Sequence, residues 1–217
     1  MFDSLVLAGG AAARLGGADK PAIRVGASSM LDRVLSATGQ ARRVVVVGPP
    51  RETCRTVRWT LESPPGGGPV AALAAGLVAL AESSSWPDDR SEEADAIVVV
   101  LAADLPWIGP AIPRLLAAIG GAPAGIDPGA RTGSTADVAV LVDSSGRRNH
   151  LAAAWRRPRL RDALEGIGSP RNAPARALYD AVRIVDVPDL DDCGVDCDTW
   201  PDLQAARLRA GRSGDGQ

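Results

Sequence analysis

Leu5-Val6-Leu7-Ala8-Gly9-Gly10-Ala11-Ala12-Ala13-Arg14-Leu15-Gly16-Gly17-Ala18-Asp19-Lys20 joins an apolar run directly to a glycine-rich loop carrying two cations. The apolar part reads as a buried first strand. In the loop, glycines without a Cβ let backbone N–H groups approach an anion, and Arg14 and Lys20 place positive charge beside them. This is the pattern of a phosphate cradle at the carboxyl end of a strand, where open α/β sheets bind ligands. The spacing excludes two common glycine loops. A P-loop needs Gly-Lys-Ser/Thr after four intervening residues, whereas Gly16 is followed by Gly17 and Lys20 by Pro21. The dinucleotide fingerprint G-x-G-x-x-G is absent after Gly10. A plain strand-to-helix turn is the alternative, and two glycine pairs around an arginine favour the cradle over it.

Further along, Val44–Val47 and Ile97–Leu101 are continuous β-branched runs, as expected of parallel strands buried on both faces. Helical spacing over Met30–Gln40 and an Ala/Val/Leu-rich stretch over Pro69–Leu80 lie between them. Strand, helix, strand, helix, strand in this order predicts a single α/β domain with a mostly parallel central sheet and helices on both faces. Ala111–Ile119 reads as a helix, Val138–Val142, Leu151–Trp155 and Val182–Val187 as strands, and Leu160–Leu164 and Ala175–Ala181 as helical. Pro201–Arg209 reads as the last helix. Ser83–Asp95 is a polar, solvated loop by composition, and Ala122–Asp137, rich in Gly and Pro, is a candidate lid or substrate loop. The domain is expected to span residues 1–209, with Ala210–Gln217 a flexible tail.

The 217 residues include 46% hydrophobic and 3% aromatic side chains, enough for one core built on Ala, Val and Leu. Basic and acidic residues number 24 and 26, so no basic excess marks a nucleic-acid groove. No apolar run approaches the roughly 18 residues that span a bilayer, and the first strand follows Met1 too closely for a signal peptide. A cytoplasmic protein is therefore expected. Cys54, Cys193 and Cys197 are odd in number and poorly spaced for zinc with the one His150, so they read as free thiols.

Asp104, in Ala102-Ala103-Asp104-Leu105-Pro106, follows the most apolar strand and sits where ligands bind. Its alternative role is to cap the next helix, which Pro106 and Gly109-Pro110 delay. Pro64-Pro65-Gly66-Gly67-Gly68-Pro69 brings further backbone N–H groups to a helix N-terminus, or serves close packing. Asp196-Cys197-Asp198-Thr199 is either a surface acidic turn or a source of cation ligands. Magnesium needs one or two carboxylates plus substrate phosphates, so Asp104 with Asp198 would suffice.

Leu-Ala-Gly-Gly-x3-Arg-x-Gly-Gly-x-Asp-Lys, Gly-Gly-Pro-x-Ala-Ala-Leu, Asp-x-Pro and Asp-x-Asp-Thr follow one another from Leu5 to about Leu203. In this order they resemble the nucleotidyltransferases with a Rossmann-like, GT-A-like fold, and within them the molybdenum cofactor guanylyltransferases. The resemblance implies transfer of GMP from GTP to the phosphate of molybdopterin, with release of pyrophosphate. It implies that Leu7, Ala8, Gly9, Gly10, Glu62 and Gly68 bind the nucleotide with Lys20 and Asp104. It further implies that Asp104 and Asp198 hold Mg²⁺, and that Arg14 and Lys20 stabilise the departing pyrophosphate. Arg148 and His150 resemble the loop that faces the acceptor. Proteins that deliver or accept the cofactor are implied as transient partners. Related cytidylyltransferases have Leu-Ala-Ala-Gly where this chain has Leu7-Ala8-Gly9-Gly10, so the missing methyl at Gly9 leaves room for a purine. A CTP-dependent enzyme, another acceptor, or a non-catalytic nucleotide-binding module are the alternatives. Gly48 stands where the family often has Asn, so a side-chain contact to the nucleotide is expected to be missing there.

Overall fold

The computed structural model describes residues 1–10, 16–82, 96–120 and 135–212. The first strand, β1 (Phe2–Leu7), is buried throughout. It lies parallel to both of its neighbours, β4 (Val44–Val47) and β6 (Ile97–Ala102). A short strand, β5 (Arg58–Thr60), extends the sheet beyond β4. On the other side stand β8 (Arg148–Arg156), β7 (Val138–Val142) and β9 (Ile184–Pro188). The order is β5-β4-β1-β6-β8-β7-β9, and β8 alone runs against the others.

Alternate residues of a strand point to opposite faces, so a strand covered on both sides is apolar at every position. Val44 and Val46 accordingly join Val6, Val99 and Leu101 under α1 (Met30–Ala37) and α3 (Ala111–Gly120). Val45 and Val47 join Leu5, Leu7 and Val100 under α2 (Pro69–Ala81) and α4 (Arg157–Gly166). Each such fully buried Val or Leu side chain stabilises the fold by about 1.5–3 kcal/mol. The second helix lies very close to the sheet. A Cβ on Gly76 would stand 2.9 Å from Val47 Cγ2 and 3.0 Å from Leu5 Cδ2, so a side chain there would force those methyls to move.

Several boundaries differ from those expected. The first helix ends at Ala37, short of Gln40, where the Thr38 hydroxyl donates to the Leu35 carbonyl at 2.8 Å and a turn follows. Ala175–Tyr179 is a 3-10 turn, and β9 starts at Ile184. A hairpin of two-residue strands, β2 (Arg24–Val25) and β3 (Ser28–Ser29), was not apparent in the sequence. The last helix, α5 (Trp200–Arg212), corrects the expected tail: residues 210–212 are helical, because Ala210 is buried with Val25, Met30, Cys197 and Leu203. The tail's remaining residues, the loop Ser83–Asp95 and most of the candidate lid Ala122–Asp137 lie outside the described residues.

Candidate functional site

The carboxyl ends of β1, β4 and β6 finish at one level, because parallel pairing continues past the strands. Ala8 N–H donates to the Val47 carbonyl at 2.8 Å, and Ala103 N–H to the Leu7 carbonyl at 2.9 Å. Above them opens a cleft of about 700 Å³. Leu7, Gly9, Gly10, Lys20, Glu62, Gly68, Asp104 and Asp198 all line it, which brings together most of the residues singled out in the sequence. Ala8 is buried beneath the floor, and Arg14 lies outside the described residues.

Gly48, at the end of β4, is demanded by this floor. With φ at +152°, a Cβ there would meet the Ala8 carbonyl oxygen at 2.7 Å and the Gly9 nitrogen at 3.1 Å. An asparagine at this position would push the loop after β1 away, so the glycine reflects close backbone approach between β4 and that loop. Gly9 is the opposite case. A Cβ there would meet nothing nearer than the Val47 carbonyl oxygen at 3.9 Å, so the fold itself does not require glycine.

Asp104 caps no helix, since α3 begins only at Ala111. Its carboxylate accepts from Lys20 Nζ, and the same ammonium donates to Asp198 Oδ1 at 2.5 Å. The lysine therefore bridges the two carboxylates. Burial acts to lower the Lys20 pKa, but the two carboxylates outweigh it and hold the ammonium above its usual value. Asp196 lies in the field of both carboxylates; loss of hydration first, then the charges of Asp198 and Asp104, raise its pKa.

Four local devices shape this arrangement. Cys197 N–H donates to the Asp104 carbonyl at 3.2 Å, tying the segment before α5 to the loop after β6. Thr199 and Asp202 cap α5: the Asp202 carboxylate accepts from Thr199 N–H at 2.8 Å and from its hydroxyl at 2.7 Å. Asp198 is held immediately before that cap. Arg51 grips Asp19, next to Lys20, through Nε at 2.8 Å and Nη2 at 2.6 Å, which lowers the Asp19 pKa. Glu62 accepts from Gly66 N–H at 3.0 Å and shapes the loop leading into α2.

A second cavity, about 580 Å³, meets the first at Leu151. Arg148 and His150 line it together with Arg147 and Arg176. Arg148 is paired with Asp186, through Nε at 2.7 Å and Nη2 at 3.0 Å. His150 sits edge-on to Tyr179 with ring centroids 4.7 Å apart. Burial, then the charges of Arg148, Arg147 and Arg176, push its pKa down, which favours a neutral imidazole. The three cysteines are free thiols. Burial and the nearby Asp104 charge push the Cys197 thiol up to about 12, so it is no nucleophile at neutral pH.

Among the described residues, no three His, Cys, Asp or Glu side chains form a ready metal site. Asp104 and Asp198 nevertheless share one cation, and oxygen-only donors of this number suit a Mg²⁺ completed by substrate phosphates. The sequence reading gave Asp19 no role although it stands in the Asp-Lys motif, and it missed Arg51, which no local motif marks. It also passed over a signal for Lys20, the sole lysine among 24 basic residues.

A mostly parallel sheet with a glycine-floored Lys-Asp-Asp cleft at the carboxyl ends of its strands defines an α/β domain of the ligand-binding kind. More particularly, the chain belongs to the MobA-like NTP transferase domain family, whose profile matches residues 4–185. A search of curated protein sequences returns no match. Among solved structures, one similar chain is molybdopterin-guanine dinucleotide biosynthesis protein A from Archaeoglobus fulgidus. The two are 18% identical over 97% of this chain and 100% of that one, with a TM-score of 0.64. Another is 2-C-methyl-D-erythritol 4-phosphate cytidylyltransferase from Thermus thermophilus, 17% identical over 97% and 100%, with a TM-score of 0.64. A nucleotidyl transferase from a Methanothermobacter species is 18% identical over 98% and 99%, with a TM-score of 0.66. At these identities the likeness is one of fold. No described helix is long and apolar enough to cross a membrane.

Proposed function

We propose that this chain transfers GMP from GTP to the terminal phosphate of molybdopterin, joining the two through a diphosphate and releasing pyrophosphate. The observation that carries the reading is the convergence of Lys20, Asp104 and Asp198, up to 178 positions apart in sequence, beside the Leu7–Gly10 loop. In the reaction, an acceptor phosphate oxygen forms a bond to the α-phosphorus while the bond from that phosphorus to the bridging oxygen breaks. The nucleophile is already an anion, so no general base is needed. Catalysis rests on holding two polyanions in line and neutralising charge that moves toward the leaving group. Asp104 and Asp198 would hold Mg²⁺, which when bound neutralises phosphate oxygens of the nucleotide. The backbone of Leu7–Gly10 orients the base, Lys20 and Arg14 meet the phosphates, and the cavity beyond Leu151 receives the acceptor.

Purine preference is supported by Gly9, whose missing methyl the fold does not require. A cytidylyl reading is the second candidate, favoured by the fold shared with cytidylyltransferases. Pyrophosphate release from each of the four nucleoside triphosphates, with molybdopterin supplied, separates the two. GTP is expected to lead. Binding of the triphosphate without any turnover would instead make the chain a nucleotide-binding module. In the same assay Asp104→Asn is expected to lose about 10²–10³ in kcat, the usual cost of removing one preorganised charge.

A further inference from the structure

We propose that Lys20 is a resident counter-ion, so that the cleft takes a divalent cation and a triphosphate as one complex and refuses the cation alone. The inference rests on the triphosphate reading of the cleft. Lys20 Nζ occupies the cation position between Asp104 and Asp198, donating to both. Its side chain is only 15% exposed, and the carboxylates it joins are 22% and 42% exposed. A divalent cation arriving there alone must expel the ammonium from both ion pairs, leaving it half-buried beside a new like charge.

Two of the nearby carboxylates are already engaged, and the third, Asp196, feels the Lys20 charge. Asp19 is held by Arg51, Asp202 is held by Thr199, and Asp196 lines the neighbouring cavity. A triphosphate changes the balance, because its oxygens accept the ammonium on the cleft side while the cation takes over the carboxylates. Cation and nucleotide thus bind with positive coupling, and the specificity of the cleft is for the preformed complex. Lys20 opens the turn Lys20–Ala22, so the proposed exchange of partners is one of its side chain.

Because Lys20 is the only lysine, its side-chain ammonium gives a single resonance in the ¹⁵N-labelled wild-type protein. Mg²⁺ alone is expected to leave that resonance in place, and Mg²⁺ with a non-hydrolysable GTP analogue to shift it. A shift on Mg²⁺ alone overturns the proposal. No shift while calorimetry reports binding of the complex overturns it too, leaving the triphosphate reading intact. Absence of calorimetric binding removes the triphosphate reading and this inference with it. As a second test, Lys20→Met is expected to bind Mn²⁺ without nucleotide roughly 5- to 150-fold tighter than wild type, the ordinary range of coupling between ligands. Electron paramagnetic resonance of free Mn²⁺ measures this, and equal affinity of a folded variant and wild type refutes the counter-ion role.

Discussion

Gly9→Ala is the substitution that most directly tests how the cleft selects its base. The added methyl meets no protein atom nearer than the Val47 carbonyl oxygen at 3.9 Å, an ordinary contact, and Gly9 is outside the left-handed backbone region. The folded protein therefore tolerates it, and lower chain entropy in the unfolded state gains about 0.4–1 kcal/mol. Since Gly9 lines the cleft, the methyl takes volume from the ligand and not from the core. One such group in a binding pocket is worth about 1–3 kcal/mol of discrimination, or 10- to 200-fold. The ratio of kcat/KM for GTP to that for CTP is thus expected to fall by one to two orders of magnitude, with the melting temperature unchanged or slightly raised. Pyrophosphate release with each nucleotide, at saturating molybdopterin, gives the ratio. An unchanged ratio in a stable variant, or an equal fall for both nucleotides, refutes the assignment of base selection to this position.

Arg51→Ala removes the grip on Asp19 and loosens the turn that presents Lys20. Asp19 is 51% exposed, so the loss is expected to be modest, about two- to fivefold in nucleotide affinity by fluorescence titration, and weaker at high salt. Gly48→Ala is expected to destabilise the protein by about 1–3 kcal/mol in urea titrations, because its Cβ would meet the Ala8 carbonyl oxygen at 2.7 Å at a left-handed φ. Stability is expected to fall in acid through Asp137. The hydrogen-bonded Arg183 guanidinium depresses its pKa to about 2 from an ordinary 3.8. A carboxylate lowered in this way stabilises the fold fully above the ordinary pKa, and the contribution is lost as pH falls from about 4 toward about 2. The difference in urea midpoint between wild type and Asp137→Asn should therefore shrink across that window.

The strands that carry the site were legible because burial on both faces writes itself as an unbroken β-branched run. Val44–Val47 is the strand β4 residue for residue, and Ile97–Leu101 falls short of β6 by one. Asp104 was legible because it follows the apolar strand β6 by two residues, whereas Lys20 and Asp198 were picked out by the glycine-rich loop and the Asp-x-Asp-Thr motif, and the cleft brings the three together. The hairpin Arg24–Val25 and Ser28–Ser29 was not, since two residues are too few to show a period. The polar start of β8 hid for a related reason: Arg148, Asn149 and His150 face a cavity and not the core. The Lys20 bridge depends on contacts between residues 84 and 178 positions apart, which no local pattern encodes. Gly48 looked like a lost side chain because its reason is the backbone of another strand.

The cap at Thr199 and the tie from Cys197 to Asp104 also bear on how the site comes into being during synthesis. Asp198 lies beyond residue 185, where the family match ends, on the segment that docks through α5. A nascent chain that has emerged only through β9 contains every strand of the sheet and the glycine floor, yet it lacks the second carboxylate. Lys20 is then left with Asp104 alone. The charge-paired form of the cleft is therefore complete only once the segment before α5 has docked.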